Sequence, residues 1–311
     1  MKQKVLKQAS LPDALTQELR ERYDLCELAQ MTATDFAAIA SEVTAVVTNG
    51  EAVVTREFMQ SLPGLKLIAV FGVGYDGVDV SAARDFGVAV THTPGVLTDD
   101  VADLAIGLML ATSRQIVAAQ RFIERGNWSS GGFQWTRKVS GKRLGIIGMG
   151  RIGQAIARRA SAFDMEIAYS NRTELTGVPW RYIADLQVLA QDSDFLMVCV
   201  PGGVETKALV NQAVLAALGS EGILINISRG SVIDEAALIN AIDNKVIAGA
   251  GLDVFVDEPN VPVTLQQRDN VVITPHMASA TWETRREMSQ LVMANVNAWF
   301  AGEPLVTPVP A

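Results

Sequence analysis

The chain has 311 residues, of which 49% are hydrophobic and 19% charged, and its formal net charge at pH 7 is −8. This composition is typical of a globular protein of about two domains rather than a disordered one. A nucleic-acid-binding protein would usually carry a basic balance, and no apolar run approaches the ~20 residues that span a bilayer. The sequence therefore predicts a protein with neither a nucleic-acid nor a membrane partner.

The two cysteines, Cys26 and Cys199, lie beside apolar residues and have neither disulfide nor zinc-site spacing. The N-terminal residues also lack the apolar segment of a secretory signal. We therefore expect reduced thiols, no metal site and a cytoplasmic location.

Short apolar runs alternate with stretches of helical periodicity along most of the chain. Several runs are continuously apolar, which is typical of parallel strands covered by helices on both faces. The sequence therefore predicts an α/β fold with parallel sheets. We place strands at residues 45–48, 67–70, 88–90, 144–147, 166–169, 195–200, 222–226, 248–252 and 271–273.

One helical pattern is much longer than the others and covers residues 99–124. Thr98 is a candidate N-cap, and the acids at 99 and 100 suit a first helical turn. A glycine-rich loop follows at 126–132, and a second α/β unit begins near Lys142. A further helix is predicted over residues 282–300.

Residues 142–153 carry a glycine motif, with Gly148, Gly150 and Gly153 placed between an apolar strand and a helical pattern. In a dinucleotide-binding turn the first glycine allows the tight turn and the second lets backbone approach the pyrophosphate. The third lets helix and strand pack closely, and the helix N-terminus attracts phosphate. The motif in this context predicts a dinucleotide site.

The next strand ends in Ser170, Asn171, Arg172 and Thr173, where an NAD site would usually present an acid to the ribose hydroxyls. No acid is present. Hydrogen-bond donors and one arginine instead suit the 2′-phosphate of NADP, because guanidinium can bond two phosphate oxygens. We therefore predict a preference for NADP(H) over NAD(H).

Polar segments follow three later strands, at 226–230, 253–259 and 274–279. Ligands of open α/β sheets bind beyond the carboxyl ends of the strands, so these segments point to one crevice. Arg229 could hold a substrate carboxylate and polarise a ketone, and His276 could donate a proton, oriented by Glu258. His92, the other histidine, lacks such neighbours and is interpreted as a loop or packing residue.

These segments together resemble the D-isomer-specific 2-hydroxyacid dehydrogenase family, and within it the glyoxylate/hydroxypyruvate reductase branch. The resemblance covers nearly the whole chain. It depends on the motifs at 73–79, 93–96, 148–153, 226–230, 253–259 and 274–279.

The resemblance implies that Arg229, Glu258 and His276 are the catalytic residues. The substrate would also contact Val73, Gly74 and Tyr75, with the amides of the first two on its carboxylate. Further cofactor contacts would come from Thr98, Arg151, Ile152, Val200, Pro201 and, at the nicotinamide end, Asp253.

The resemblance also implies two Rossmann-like doubly wound domains and a homodimer built on the helix 98–124. The NADP-binding domain, 98–283, would be inserted into a flavodoxin-like substrate domain made of 1–97 and 284–311. The loop 128–135, with two tryptophans, could reach the partner's substrate site or simply pack at a domain junction.

The expected function is NADPH-dependent reduction of small 2-oxo acids, of the glyoxylate or hydroxypyruvate type, to D-2-hydroxy acids. One alternative is a reductase of a larger 2-keto acid, such as 2-ketogluconate or an aryl pyruvate. A more distant alternative is a regulatory protein that senses NAD(P) without catalysis, in which His276 would have no proton to donate.

Overall fold

The computed structural model describes residues 2–310 and divides them into two compact units. Unit 1 comprises the chain up to Leu97 and from Ser279 onward, and unit 2 comprises Thr98–Ala278. Each unit is built on a parallel sheet.

The sheet of unit 1 has five parallel strands in the order β2-β1-β3-β4-β5. These strands are β1 (Lys4–Lys7), β2 (Asp24–Glu27), β3 (Ala45–Asn49), β4 (Leu67–Phe71) and β5 (Ala89–Thr91). The helices are α1 (Asp13–Arg22), α2 (Ala33–Ile39), α3 (Arg56–Gln60), α4 (Val80–Asp85) and, after unit 2, α12 (Trp282–Ala301). Every residue of β4 is buried, as expected for a strand with both faces covered.

The sheet of unit 2 has seven parallel strands in the order β12-β11-β10-β9-β6-β7-β8. These strands are β6 (Arg143–Ile147), β7 (Glu166–Ser170), β8 (Arg181–Tyr182), β9 (Phe195–Val198), β10 (Ile223–Asn226), β11 (Gly249–Leu252) and β12 (Val271–Ile273). The helices are α5 (Thr98–Ser113), α6 (Ile116–Glu124), α7 (Arg151–Ser161), α8 (Leu186–Gln191), α9 (Gln212–Leu218), α10 (Glu235–Asp243) and α11 (Val263–Gln266).

Counted from β6, the order in unit 2 is that of the doubly wound dinucleotide-binding fold with one strand added at the β12 edge. The order reverses between β6 and β9, where such folds bind their ligands. The predicted fold class, two doubly wound parallel sheets, is confirmed.

All nine predicted strands are present, and three further strands were missed: β1, β2 and β8. β1 has the sequence KVLK, in which the two fully buried residues, Val5 and Leu6, are flanked by lysines. Two apolar residues between charged ones are too short a run to predict a strand. β2 has a similar polar composition, and β8 has only two residues.

The single long helix predicted over 99–124 is wrong. α5 and α6 meet at a bend of 56°, and Gln115 between them adopts a left-handed conformation with φ 49°. The Ser113 carbonyl accepts from the Arg137 N–H, so it is not used to continue the helix. Thr98 is the first helical residue rather than the predicted N-cap.

No single helix among residues 2–310 is long and apolar enough to cross a membrane. α5 and α6 meet the length and composition criteria only as a bent pair. Much of α5 is buried inside unit 2, against α7, β10 and β11.

Candidate active site

The turn between β6 and α7 needs two of its glycines for packing and leaves the third open. Gly148 has φ 98°, and a Cβ there would lie 2.9 Å from the Cys199 backbone. A Cβ at Gly153 would lie 2.2 Å from the Gly148 carbonyl oxygen. A Cβ at Gly150 would point into open space, with nothing beyond the adjoining residues within 4 Å, so a ligand can approach the backbone from this side.

α7 begins immediately after this turn, at Arg151. The first three N–H groups of the helix have no carbonyl of the same helix to bond to, because the residues four positions earlier lie outside it. These are the N–H groups of Arg151, Ile152 and Gly153, and they lie at the positive end of the helix dipole. An open glycine backbone beside a helix N-terminus fits a pyrophosphate. This turn is therefore the candidate dinucleotide site, at the point where the strand order reverses.

The residues after β7 differ from the expected set of phosphate donors. Ser170 is only 5% exposed, and its hydroxyl donates to the Ala184 carbonyl at 3.3 Å, so the predicted contact to a 2′-phosphate is not supported. The side-chain oxygen of Asn171 accepts from the Met149 N–H at 2.7 Å and holds the glycine turn. Thr173 is exposed.

The Arg172 side chain is 92% exposed and is the cation of this region. Its Nη1 lies 3.2 Å from a carboxylate oxygen of Glu205, which is 80% exposed. An exposed ion pair of this kind contributes little, so a bound phosphate could displace the glutamate.

Three other predicted cofactor residues also lie in unit 2. Thr98 begins α5, and Val200 and Pro201 follow β9. Val200 contacts the turn, since its Cγ1 lies 2.8 Å from where a Gly148 Cβ would be. The Pro201 carbonyl accepts from the Thr206 hydroxyl at 2.7 Å.

β10, β11 and β12 are neighbours in the sheet, so the segments that follow them emerge at the same edge. After β10, the Asn226 side-chain oxygen accepts from the Ser228 N–H and hydroxyl, and its amide donates to the Arg229 carbonyl. The Arg229 guanidinium donates to the Ser228 carbonyl at 2.8 Å. A Cβ at Gly230 would lie 2.0 Å from the Phe255 carbonyl carbon, so only glycine lets these two segments approach.

Asp253 organises the segment that carries His276. It is fully buried, and its carboxylate accepts from the Thr274 hydroxyl at 2.6 Å and from the Met277 and Ala278 N–H groups at 2.9 Å. Its carbonyl accepts from the His276 N–H at 2.8 Å. Sequence reasoning gave Asp253 a nicotinamide contact and missed this structural role.

His276 and Glu258 form a hydrogen-bonded pair, with Nδ1 2.7 Å from Oε2. The other carboxylate oxygen accepts from the Phe255 N–H at 2.8 Å. Burial raises the pKa of Glu258, but the hydrogen bonds from His276 and Phe255 and the nearby positive charge of Arg229 outweigh it, so the pKa lies below its usual value.

Because an ionised carboxylate can only accept, the proton between the pair resides on the histidine Nδ1. Nδ1 is therefore the donor to Glu258, and Nε2 is the ring nitrogen that would exchange a proton with a substrate. The histidine backbone is left-handed, with φ 48°, and is held by the bonds from Asp253.

The predicted substrate loop, 73–75, belongs to unit 1 and follows β4. Among the described residues, neither the Val73 nor the Gly74 N–H donates to another group of the chain. Two adjacent unpaired amides of this kind can bind a carboxylate. The Tyr75 ring packs edge-on against His92, which follows β5, and the ring centroids are 5.1 Å apart.

Comparison with known proteins identifies the family of the chain. Residues 106–278 match the model of a family described as D-isomer specific 2-hydroxyacid dehydrogenase, NAD binding domain. The chain is 46% identical over 307 residues to a hydroxyphenylpyruvate reductase of Plectranthus scutellarioides, covering 98% of both chains. It is 43% identical over 309 residues to glyoxylate/hydroxypyruvate reductase A of Arabidopsis thaliana, again covering 98% of both.

Among solved structures, an NADPH-dependent glyoxylate/hydroxypyruvate reductase of Sinorhizobium meliloti, in complex with NADP and malonate, superimposes with a TM-score of 0.93. Its sequence identity is 42%, and the match covers 99% of this chain and 97% of that one. From these matches, this chain belongs to the D-isomer-specific 2-hydroxyacid dehydrogenase family and carries a nicotinamide-dinucleotide-binding domain.

Proposed function

We propose that this enzyme is an NADPH-dependent reductase of small 2-oxo acids, of the glyoxylate and hydroxypyruvate type, that forms D-2-hydroxy acids. The observation that carries the proposal is the pair of His276 and Glu258, joined at 2.7 Å on the sheet that also bears the dinucleotide turn. The relatives of the glyoxylate/hydroxypyruvate reductase branch support the same substrate class.

His276 is the proton donor in reduction and the proton acceptor in oxidation. Its Nε2 delivers the proton to the C2 oxygen of the substrate, while Nδ1 stays bonded to Glu258. The carboxylate orients the ring and its charge stabilises the imidazolium, which is the form that can donate.

Arg229 supplies a fixed positive charge that binds the substrate carboxylate and polarises the C2 carbonyl. In unit 1, the Val73 and Gly74 amides bind the carboxylate, and Tyr75 completes that loop. An anionic 2-oxo acid is the substrate class that such groups recognise.

The cofactor is held by the glycine turn and by the first turn of α7, and the nicotinamide, when bound, supplies the hydride. Arg172, with the exposed Thr173, would recognise the 2′-phosphate of NADPH. The preference for NADPH rests mainly on Arg172, because Ser170 and the Asn171 oxygen already have partners within the chain.

A larger 2-keto acid is the second candidate substrate. The hydroxyphenylpyruvate reductase, 46% identical over nearly the whole chain, favours an aryl pyruvate. A 2-ketogluconate reductase activity is the other form of this candidate, and all of these substrates present the same 2-oxo acid group to His276 and Arg229.

We also propose a cytoplasmic homodimer, in which a second copy of the chain covers an exposed apolar surface of unit 2. That surface would include Ile116 and Ile123 of α6 and Trp128 and Trp135 of the segment that follows it, which are 53–100% exposed. Large apolar side chains exposed within one stretch of the chain favour a protein contact over water. The loop 128–135 would then reach the partner's substrate site or pack at a domain junction.

Steady-state kinetics with glyoxylate, hydroxypyruvate, 2-ketogluconate and hydroxyphenylpyruvate, each with NADPH and NADH, test the proposal. We expect the highest kcat/KM for NADPH with glyoxylate or hydroxypyruvate. A higher value for hydroxyphenylpyruvate would establish the second candidate, and no turnover of any 2-oxo acid would contradict both. The dimer is tested separately by light scattering, with Trp135→Ala as the disrupting variant.

A further inference from the structure

We infer that His92 is a positioning residue that orients the substrate-carboxylate amide of Gly74. This inference rests on the proposed function, in which the Val73 and Gly74 amides bind the carboxylate of a 2-oxo acid. His92 itself is not placed in contact with substrate. Its action would pass through one hydrogen bond to the loop.

The key contact joins the ring of His92 to the loop backbone. The His92 Nδ1 lies 2.9 Å from the Val73 carbonyl oxygen. Since a carbonyl can only accept, the proton of this bond belongs to Nδ1, whether the ring is neutral or protonated. His92 is therefore a donor to Val73.

The Val73 carbonyl and the Gly74 N–H belong to the same planar peptide group and point in opposite directions. A hydrogen bond that fixes the carbonyl consequently fixes the direction of the Gly74 N–H. A donor on the carbonyl also polarises the peptide, which strengthens the N–H as a donor to an anion. One contact thus both aims and strengthens the amide.

Both the ring and the backbone of His92 are held by neighbouring residues. Its edge-on contact with Tyr75 limits ring rotation. The His92 carbonyl accepts from the Thr307 hydroxyl at 2.6 Å, and the His92 N–H donates to the Thr307 carbonyl at 3.2 Å. Asn295, 1% exposed on α12, donates to that hydroxyl at 2.8 Å.

The neighbouring residue, Thr93, fixes the start of the same loop. Its hydroxyl accepts from the Gly72 N–H at 3.1 Å, and its N–H donates to the Gly72 carbonyl at 2.8 Å. The 92–93 segment therefore holds Gly72 and Val73 but leaves the amides of Val73 and Gly74 without a partner among the described residues. Such an arrangement is what a preorganised carboxylate site requires.

Two substitutions at His92 separate the hydrogen bond from the ring. His92→Phe keeps a ring against Tyr75 but has no donor, whereas His92→Asn places an amide N–H where Nδ1 was. We expect His92→Phe to raise the KM for glyoxylate or hydroxypyruvate roughly three- to tenfold, with little change in kcat and none in the Kd for NADPH. His92→Asn should return the KM to within about twofold of the wild type.

Tyr23→Phe is the matched control, because it removes the hydrogen bond from Tyr23 to Asn297 elsewhere in unit 1. It should lower the Tm and leave the KM unchanged. Equal KM values for wild type and His92→Phe, or a His92→Asn variant as impaired as His92→Phe, would overturn the inference. So would a higher KM accompanied by a lower kcat and weaker NADPH binding, which would indicate general damage.

Calorimetry with oxamate in the NADPH complex separates this inference from the proposed function. A wild type that binds oxamate but reduces no 2-oxo acid would contradict the proposed function alone, and weaker oxamate binding by His92→Phe would still support the positioning role. A wild type that neither reduces a 2-oxo acid nor binds oxamate would overturn both.

Discussion

The two ends of the proposed site in unit 2 are built in opposite ways. At the catalytic end, Asp253 is fully buried and holds the segment of His276, which in turn is bonded to Glu258. At the adenosine end, Arg172 and Glu205 are 92% and 80% exposed and form an ion pair with each other.

This difference corresponds to two tasks, proton transfer at one end and discrimination between two cofactors at the other. A proton donor must be aligned before the substrate arrives, so its support is buried and hydrogen-bonded to the backbone. A charge that only discriminates between two cofactors can remain in water and pair with phosphate on binding. We therefore expect substitutions at the first end to affect kcat and substitutions at the second to affect cofactor affinity.

The largest effect is expected from His276→Ala. Loss of the proton donor should lower kcat by roughly 10²–10⁴-fold, the usual contribution of a positioned acid. The Kd for NADPH, measured by fluorescence titration, should hardly change, because the glycine turn is untouched. A variant that kept more than half of the wild-type kcat would show that another group donates the proton.

Arg172→Ala should have the next largest effect, confined to NADPH. A hydrogen bond to a charged group contributes about 1.5–3 kcal/mol, which corresponds to a roughly 10- to 150-fold weaker Kd. The Kd for NADH should stay nearly constant. The matched control is Arg181→Ala, which removes another exposed arginine–carboxylate pair of unit 2, that with Asp192, and should affect neither cofactor. An unaltered NADPH preference in Arg172→Ala would contradict the assignment.

Glu258→Gln should displace the pH–rate profile. Without the carboxylate charge the imidazolium of His276 is less stable and loses its proton at a lower pH. The alkaline fall in reductase kcat/KM should therefore move down by about 1 pH unit, with the acid limb of the oxidation moving in the same direction. A profile that coincided with the wild type would assign the orientation of His276 to another residue.

The same pair predicts a pH dependence of stability. The pKa of Glu258 is lower in the folded protein than its ordinary value. Its stabilising contribution is therefore present at neutral pH and is lost as the pH falls through the folded-state pKa. The difference in unfolding free energy between wild type and Glu258→Gln should shrink accordingly in acid.

Glu205→Gln should give the smallest effect. Glutamate must release Arg172 before a phosphate can replace it, and exposed ion pairs contribute only about 0.2–1 kcal/mol. Neutralising it should tighten NADPH binding up to about fivefold and leave NADH unchanged. Weaker NADPH binding in this variant would mean that Glu205 supports the phosphate site rather than competing for it.

The sequence was sufficient for the fold class, nine of the twelve strands and the enzyme family. Continuous apolar runs and the glycine turn are local sequence signals. They predict buried parallel strands and a dinucleotide-binding turn in any fold that covers both faces of a sheet. The bend at Gln115 has no local signal. It follows from a bond between Ser113 and Arg137, which are far apart in sequence.

The same limit explains Ser170. Its residue type suited a phosphate donor, but the direction of a strand-end side chain depends on what packs beside it. Here the partner is the Ala184 carbonyl, in the segment after β8, a strand the sequence did not reveal. The structural roles of Asn226 and Asp253 were likewise not predicted, because their hydrogen bonds to nearby backbone form only in the folded loops.

The bond from the Met149 N–H to Asn171 needs only an oxygen acceptor. An aspartate there would keep the bond through one carboxylate oxygen. Its second oxygen would stand where the asparagine has an amide donor, and this negative acceptor would bind a ribose hydroxyl and repel a phosphate. Asparagine and aspartate codons differ by a single base. A descendant lineage could thus move toward NADH in one mutational step without disturbing the glycine turn, a route that the buried Ser170 does not offer.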